Sequence, residues 1–147
     1  MDLTLIIGFG SLLRGDDAVG PLAAERLREL CLDPNVDIRA VHQLTPELVE
    51  TVSRATRAIF IDASVQGEPG EIRERPITAE IAAGTAFTHH VSPEGLLAAA
   101  RTLYGKAPEA CLISCVGGDF SYSIEPSVEL QRRVEAVAKA VLRKLSR

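Results

Sequence analysis

Cysteine is scarce in this sequence: its 147 residues include only Cys31, Cys111 and Cys115. An odd number of cysteines without a framework spacing excludes the disulfide-rich secreted folds. No Cys-x-x-Cys pair is present, which excludes the usual cysteine-based zinc sites. Cys111 and Cys115 lie four residues apart in a predicted strand, so they share one face of it. We therefore expect buried, reduced cysteines.

The sequence also lacks long runs of basic residues and long runs of apolar residues. The net charge is -4 and there is no extended basic run, so nucleic acid is not an expected partner. No apolar stretch approaches the roughly 18 residues that span a membrane. The first residues lack the basic segment and the small-residue cleavage site of a signal peptide. We expect a cytoplasmic protein with no membrane partner.

Several motifs that would identify common enzymes are also absent. A dinucleotide-binding loop needs a third glycine where this chain has Leu13, and there is no Gly-Lys-Ser/Thr segment. Two acids at the start of a helix would also repel a phosphate. The chain has neither a Gly-x-Ser-x-Gly elbow nor a His-Glu-x-x-His helix. Nucleotide binding, serine hydrolysis and zincin-type chemistry are therefore not expected.

What the chain does have is an ordinary globular composition, with 46% hydrophobic and 24% charged residues. Its length predicts one domain covering residues 1–147. Apolar strand patterns alternate with helical ones along the sequence. The predicted strands cover residues 3–7, 36–41, 57–63 and 110–116, with an edge strand at 71–77, and the predicted helices cover 21–32 and 127–145 and begin near 45 and 92. This order predicts an α/β fold: a doubly wound, mainly parallel sheet of about five strands with helices on both faces.

The most informative stretch is the opening one. The apolar run Leu3–Ile7 predicts a strand buried on both faces, and Gly8 and Gly10 permit a sharp turn at its end. Asp16 and Asp17 then come at or just before a helix N-terminus. Two interpretations are open at this point: the acids stabilise the helix start, or they form part of a working site.

Other polar residues are expected at the same edge of the sheet. Asp62 closes a buried strand, and His89 and His90 precede a helix. Since the carboxyl ends of parallel strands meet at one edge, carboxylates and an imidazole can converge there. Such a set suits a borderline divalent metal such as nickel or zinc. The alternatives are that Asp62 is a cap and that the histidines are a surface pair, of which at most one faces the site. His42, at the end of the second strand, is expected to shape the pocket rather than to bind metal.

The run Ile6-Ile-Gly-Phe-Gly-Ser-Leu-Leu-Arg-Gly-Asp-Asp-Ala-Val-Gly20 closely resembles the N-terminal signature of the [NiFe] hydrogenase maturation endopeptidases. The resemblance implies the fold predicted above. It also implies a function: removal of a C-terminal extension from the precursor of the hydrogenase large subunit, after nickel insertion. By motif position the metal-binding residues would be Asp17, Asp62 and His89, or His90 if the motif shifts by one. The nickel would be brought by the precursor, with zinc as another possible ion.

The chain departs from the family pattern at three places. Ser11 replaces the usual asparagine, Ala18 replaces a common glycine, and the Asp-Gly-Gly-Thr segment appears here as residues 42–48. These changes leave the hydrogenase subgroup and the retention of activity open.

Since no nucleophile fits standard peptidase logic, metal assistance is the expected chemistry. Asp17, Asp62 and Asp16 are the candidate catalytic carboxylates, with Asp16 or Asp17 accepting the proton. Two rival hypotheses are a chaperone that senses the metal-loaded precursor without cutting it, and an unrelated small-molecule enzyme on the same fold.

Overall fold

One sheet of five strands organises the part of the chain that the computed structural model describes, residues 2–79 and 91–146. The strands are β1 (Thr4–Phe9), β2 (Val36–Val41), β3 (Arg57–Ser64), β4 (Ile72–Ile77) and β5 (Glu109–Val116). The helices are α1 (Val19–Leu30), α2 (Val49–Arg54), α3 (Pro93–Tyr104) and α4 (Val128–Leu145). Short 3-10 turns at Gly15–Ala18 and Pro46–Leu48 precede α1 and α2.

The strand order is β2-β1-β3-β5-β4. The pairs β1–β2, β1–β3 and β3–β5 are parallel, and β4 pairs antiparallel with β5 at the edge. The predicted α/β fold with a mainly parallel sheet of five strands is therefore confirmed. The antiparallel direction of β4 was not part of the prediction.

Helices cover both faces of the sheet and create two apolar layers. On one face, α2 and α3 pack against residues such as Leu5, Ile7 and Phe60. On the other face, α1 and α4 pack against Ile6 and Ile59. Consecutive residues of β1 and β3 are thus buried on opposite faces, which explains why these strands are continuous apolar runs.

Element boundaries differ from the sequence prediction mainly at helix ends. Helix α1 begins at Val19, because the preceding acids lie in a 3-10 turn. It ends at Leu30, and Leu32 is 86% exposed. The helix predicted to begin near 92 is capped by Ser92, whose hydroxyl accepts a hydrogen bond from the Gly95 amide. Thr45 occupies the N-cap position of the 3-10 turn before α2, near the predicted helix start, and makes no side-chain cap bond.

All three cysteines are free. Cys111 and Cys115 are buried on the same face of β5, and burial raises the pKa of both thiols. Cys31, just after α1, is only partly buried. The prediction of reduced, buried cysteines is confirmed for the two in β5. None of the described helices is long and apolar enough to cross a membrane.

Candidate active site

The loop that follows β1 is shaped by close approaches that only glycine allows. Gly10 has φ +148°, and a Cβ atom there would lie 2.1 Å from the carbonyl oxygen of Asp17. Gly8 does not have a positive φ. A Cβ at Gly8 would lie 2.0 Å from the Gly20 carbonyl oxygen. Gly8 therefore permits strand β1 to pack against α1, while Gly10 makes the turn that the sequence predicted for both.

Asp17 is held at the carboxyl end of β1 by this turn. Its Oδ2 accepts a hydrogen bond of 2.7 Å from the backbone amide of Ser11. A backbone donor is available whichever side chain occupies position 11, so the replacement of asparagine by Ser11 preserves this contact. The Ser11 hydroxyl instead accepts a 3.3 Å hydrogen bond from the Leu13 amide.

Asp62 lies near the carboxyl end of the neighbouring strand β3. Its Oδ1 accepts a 2.7 Å hydrogen bond from the Ala63 amide. Burial raises the pKa of Asp62 to about 6, against the lowering effect of that hydrogen bond, and the negative charge of Asp17 raises it further. Asp17 and Asp62 thus lie within electrostatic reach of each other, where the parallel topology predicted that they would meet.

Asp16 is directed to a different set of partners. Its side chain is buried, and its Oδ2 accepts hydrogen bonds from the amides of Gly118 at 2.7 Å and Asp119 at 3.0 Å. The same oxygen forms an ion pair with Arg133 of α4. The amide of Asp16 also donates to the Asp119 carbonyl at 2.8 Å. These contacts fasten the Gly15–Ala18 turn to the loop after β5, so the environment of Asp16 favours a structural role over proton transfer.

The predicted histidine ligands, His89 and His90, lie outside the described residues, so their assignment stays a prediction. His42 is exposed, and its carbonyl oxygen accepts a 3.1 Å hydrogen bond from the Gly10 amide. Its backbone therefore helps to shape the turn. Across residues 2–79 and 91–146, no three His, Cys, Asp or Glu side chains cluster closely enough to hold a metal ion. The described donors are the two carboxylates Asp17 and Asp62, and a borderline ion such as nickel would need further ligands.

A cleft of about 760 Å³ opens beside Asp62. Asp62, Ser114 and Arg73 form one register row across β3, β5 and β4, and all three line the cleft. Because side chains alternate along a strand, this row lies on the face that α2 and α3 cover further down the sheet. The cleft is open to solvent.

Sequence reasoning missed the residues that complete this region. Ser114 was hidden in an apolar strand, although a polar residue interrupting such a run signals a break in the core. Arg73 belongs to an edge strand whose direction was not predicted, and it pairs with Glu71. Arg133 was assigned only to a helix. None of the local patterns indicates that it reaches Asp16.

Known proteins resemble this chain most clearly in structure. No protein-family model and no curated protein matches this sequence. The structure is similar to a [NiFe] hydrogenase maturation protease HycI from Thermococcus kodakarensis KOD1, with a TM-score of 0.79 and 28% identity over 99% of this chain and 93% of that one. It is also similar to a hydrogenase 2 maturation peptidase from Thaumarchaeota archaeon SCGC_AB-539-E09, with a TM-score of 0.74 and 27% identity over 99% of both chains.

The hydrogenase maturating endopeptidase HybD from E. coli gives a TM-score of 0.75 at 22% identity, covering 98% of this chain and 92% of that one. At that identity the likeness concerns the fold. The two archaeal structures match nearly the whole chain at higher identity. Together with the opening signature, these matches confirm the predicted resemblance: in fold and in signature, this chain is similar to the [NiFe] hydrogenase maturation proteases.

Proposed function

We propose that this protein is an endopeptidase that removes the C-terminal extension of a [NiFe] hydrogenase large-subunit precursor. The observation that carries the proposal is the convergence of Asp17 and Asp62 beside an open cleft, on the fold shared with structures named maturation proteases. In this proposal the C-terminal segment of the precursor binds in the cleft in an extended conformation and is cut there. Asp62 lines the cleft and Asp17 lies within electrostatic reach of Asp62, so a metal carried by the precursor would be met by these two carboxylates.

Nickel, in this proposal, is cargo of the substrate. Bound between the precursor and the carboxylates, it would supply Lewis-acid polarisation of the scissile carbonyl. Asp17 and Asp62 orient the cargo, with His89 or His90 as the proposed imidazole partner. Zinc is the alternative divalent ion.

Asp62 is the carboxylate best suited to move a proton. Its pKa of about 6 lies close to neutral pH, so it is mostly ionised there and still basic enough to accept a proton from an attacking water. The same group can then return that proton to the leaving amine. Asp16 is a poor candidate because its Oδ2 is occupied by two amides and Arg133. We therefore assign proton transfer to Asp62 and metal contact chiefly to Asp17.

Free thiols fit a reducing compartment. We propose that the protein acts in the cytoplasm on a protein partner, without nucleic acid or membrane. The net charge of -4 supports the first of these exclusions.

The test is cleavage of the purified precursor with and without nickel. Wild type is expected to shorten only the nickel-loaded precursor, and Asp17→Asn and Asp62→Asn are expected to lose at least about 100-fold in rate. The matched control is Asp33→Asn, which changes a loop acid between α1 and β2 and is expected to retain activity. Nickel-dependent binding without shortening by wild type would identify a chaperone instead. If folded wild-type protein shows no binding and no cutting of the precursor, the proposed function is refuted.

A further inference from the structure

Exposed apolar side chains are concentrated on one part of this molecule. Among the described residues, ten large hydrophobic side chains are exposed, and half of them lie on two short segments. We call these five the apolar patch: Leu12 (57% exposed), Leu13 (47%), Tyr122 (68%), Ile124 (78%) and Val128 (63%). Such clustering marks interaction surfaces, whereas single exposed hydrophobic residues need no explanation.

The two segments of the patch are joined by backbone contacts. The amide of Ser123 donates a 2.9 Å hydrogen bond to the Leu13 carbonyl oxygen. The Ser123 hydroxyl donates to the Glu125 carbonyl at 2.7 Å, and Ser127 caps α4 through the Leu130 amide. The segment from 119 to 127 has no helix or strand, yet its backbone is tied at both ends. The patch is therefore presented by the fold and not by a loose tail.

A cavity of about 280 Å³ lies between the segments, with Leu12 and Ile124 from the two segments and Leu22 and Leu130 in its walls. This volume suits one large apolar side chain. The charged residues that line it are all carboxylates: Asp16, Asp119 and Glu125. Asp16 is neutralised by Arg133, while hydrogen bonds from Ser121 hold the pKa of Asp119 below its usual range. The rim is thus acidic, and it complements an apolar side chain that is followed or preceded by a basic one.

The patch is continuous with the candidate active site. Leu12 and Leu13 lie in the same loop as Ser11 and Asp17, whose contact orients the Asp17 carboxylate. These two exposed leucines therefore border the place at which a protein substrate would present a segment to Asp17. Ile124 does not line the cleft beside Asp62, so a short peptide bound in that cleft would not need to contact it.

We propose that the apolar patch docks the folded body of the large-subunit precursor, and that the cavity receives an apolar side chain flanked by a basic residue of that precursor. This inference rests on the proposed function. It adds that the body of the precursor docks at one surface and that the cut is made at another, in the cleft. Docking at a second surface makes recognition independent of the short sequence around the scissile bond.

The test measures the Kd of the nickel-loaded precursor for immobilised protein. Every variant also carries Asp62→Asn, which blocks cutting. Adding Ile124→Ser and Val128→Ser is expected to raise Kd at least tenfold, because both side chains are solvent-exposed in the free protein and are buried on docking. Glu125→Lys is expected to raise Kd as well, since it reverses the charge at the rim. The matched controls are Leu32→Ser and Leu103→Ser, which remove similarly exposed leucines elsewhere and are expected to leave Kd unchanged.

An equal Kd for patch and control variants, with wild type still cutting the precursor, would overturn this inference and leave the proposed function standing. If size-exclusion chromatography shows a wild-type dimer that the patch variants convert to monomer while Kd is unchanged, the occupant is a second copy of the chain, and the inference is overturned. Absence of both binding and cutting by wild type would overturn the proposed function and this inference together.

Discussion

Arg133 of α4 donates from Nη1 to the Oδ2 atom of Asp16, 117 residues away in the sequence. The side chains are 17% and 6% exposed, so this ion pair is largely removed from water. The same oxygen accepts the Gly118 and Asp119 amides. The two acids of the opening signature therefore have different tasks: Asp16 fastens the loop, and Asp17 is left to face Asp62.

Removal of Arg133 is expected to destabilise the protein. Arg133→Met keeps much of the length of the side chain but leaves the Asp16 carboxylate buried without its cation. We expect a loss of about 2–4 kcal/mol in the free energy of unfolding. The measurement is urea denaturation at pH 7.5, with the slope checked for two-state behaviour.

The neighbouring Arg132 provides the matched control, since its side chain is 74% exposed. Arg132→Met is expected to change stability by less than about 0.5 kcal/mol. The double variant Asp16→Asn/Arg133→Met should lose less than the sum of the single losses, because the buried charge is gone. Additive losses would show that Asp16 and Arg133 are not energetically coupled.

The raised pKa of Asp62 predicts a specific pH dependence for the metal-free protein. The group titrates near 3.8 when unfolded and near 6 when folded. Between these values the native state holds a proton that the unfolded state has released, so this group's contribution to stability falls as pH rises through that window. The loss is complete above about pH 7 and amounts to about 2–3 kcal/mol.

Asp62→Asn removes this penalty, because asparagine does not ionise and its oxygen can still accept the Ala63 amide. The variant is therefore expected to be more stable than wild type at pH 7.5, by about 2–3 kcal/mol, and nearly equal to it at pH 4. Urea denaturation at the two pH values measures the difference, with Asp33→Asn as a control that should show no such trend. A variant less stable than wild type at pH 7.5 would mean that ionised Asp62 supports the fold.

The turn at Gly10 is expected to be essential for the placement of Asp17. In Gly10→Ala the new Cβ would lie 2.1 Å from the Asp17 carbonyl oxygen, on a backbone with φ +148°. The Asp17 backbone must move, so we expect a loss of at least about tenfold in precursor cleavage, since small displacements of catalytic groups are costly. Stability should fall as well.

Gly105 is the control for the backbone conformation alone. It has φ +77°, and a Cβ added at this position would meet no other atom within 4 Å, so Gly105→Ala adds strain without a clash. We expect it to cost about 1 kcal/mol and to leave cleavage unchanged. If both variants lost cleavage equally, crowding against Asp17 would not be the cause.

The thiols are expected to differ in reactivity. Cys111 and Cys115 are buried with raised pKa values, whereas Cys31 is partly exposed. A thiol reagent at pH 8 should therefore modify one cysteine quickly in the native protein and all three in denaturant. Cys31→Ser should remove the fast phase, and fast modification of two or more native thiols would contradict the packing of β5.

The local pattern of apolar and polar residues was sufficient to predict most of the fold. Strands β1, β3 and β5 are recognisable because both faces are buried, which requires nearly unbroken apolar runs, and β2 matches its prediction at both ends. Parallel topology then places Asp17 and Asp62 at one edge before any side-chain contact is known. The signature around Asp17 further indicated the family, since its glycines and acids occur at fixed spacing.

The sequence by itself determined the fold class, the family resemblance and the meeting of Asp17 with Asp62. Tertiary structure alone decided that Asp16 is occupied by Arg133, that Gly8 serves packing against Gly20, and that Leu12 and Ile124 line one cavity. The physical reason is the range of the interactions. Burial and backbone periodicity act over a few neighbouring residues and are visible in local sequence, whereas these contacts join segments that only folding brings together.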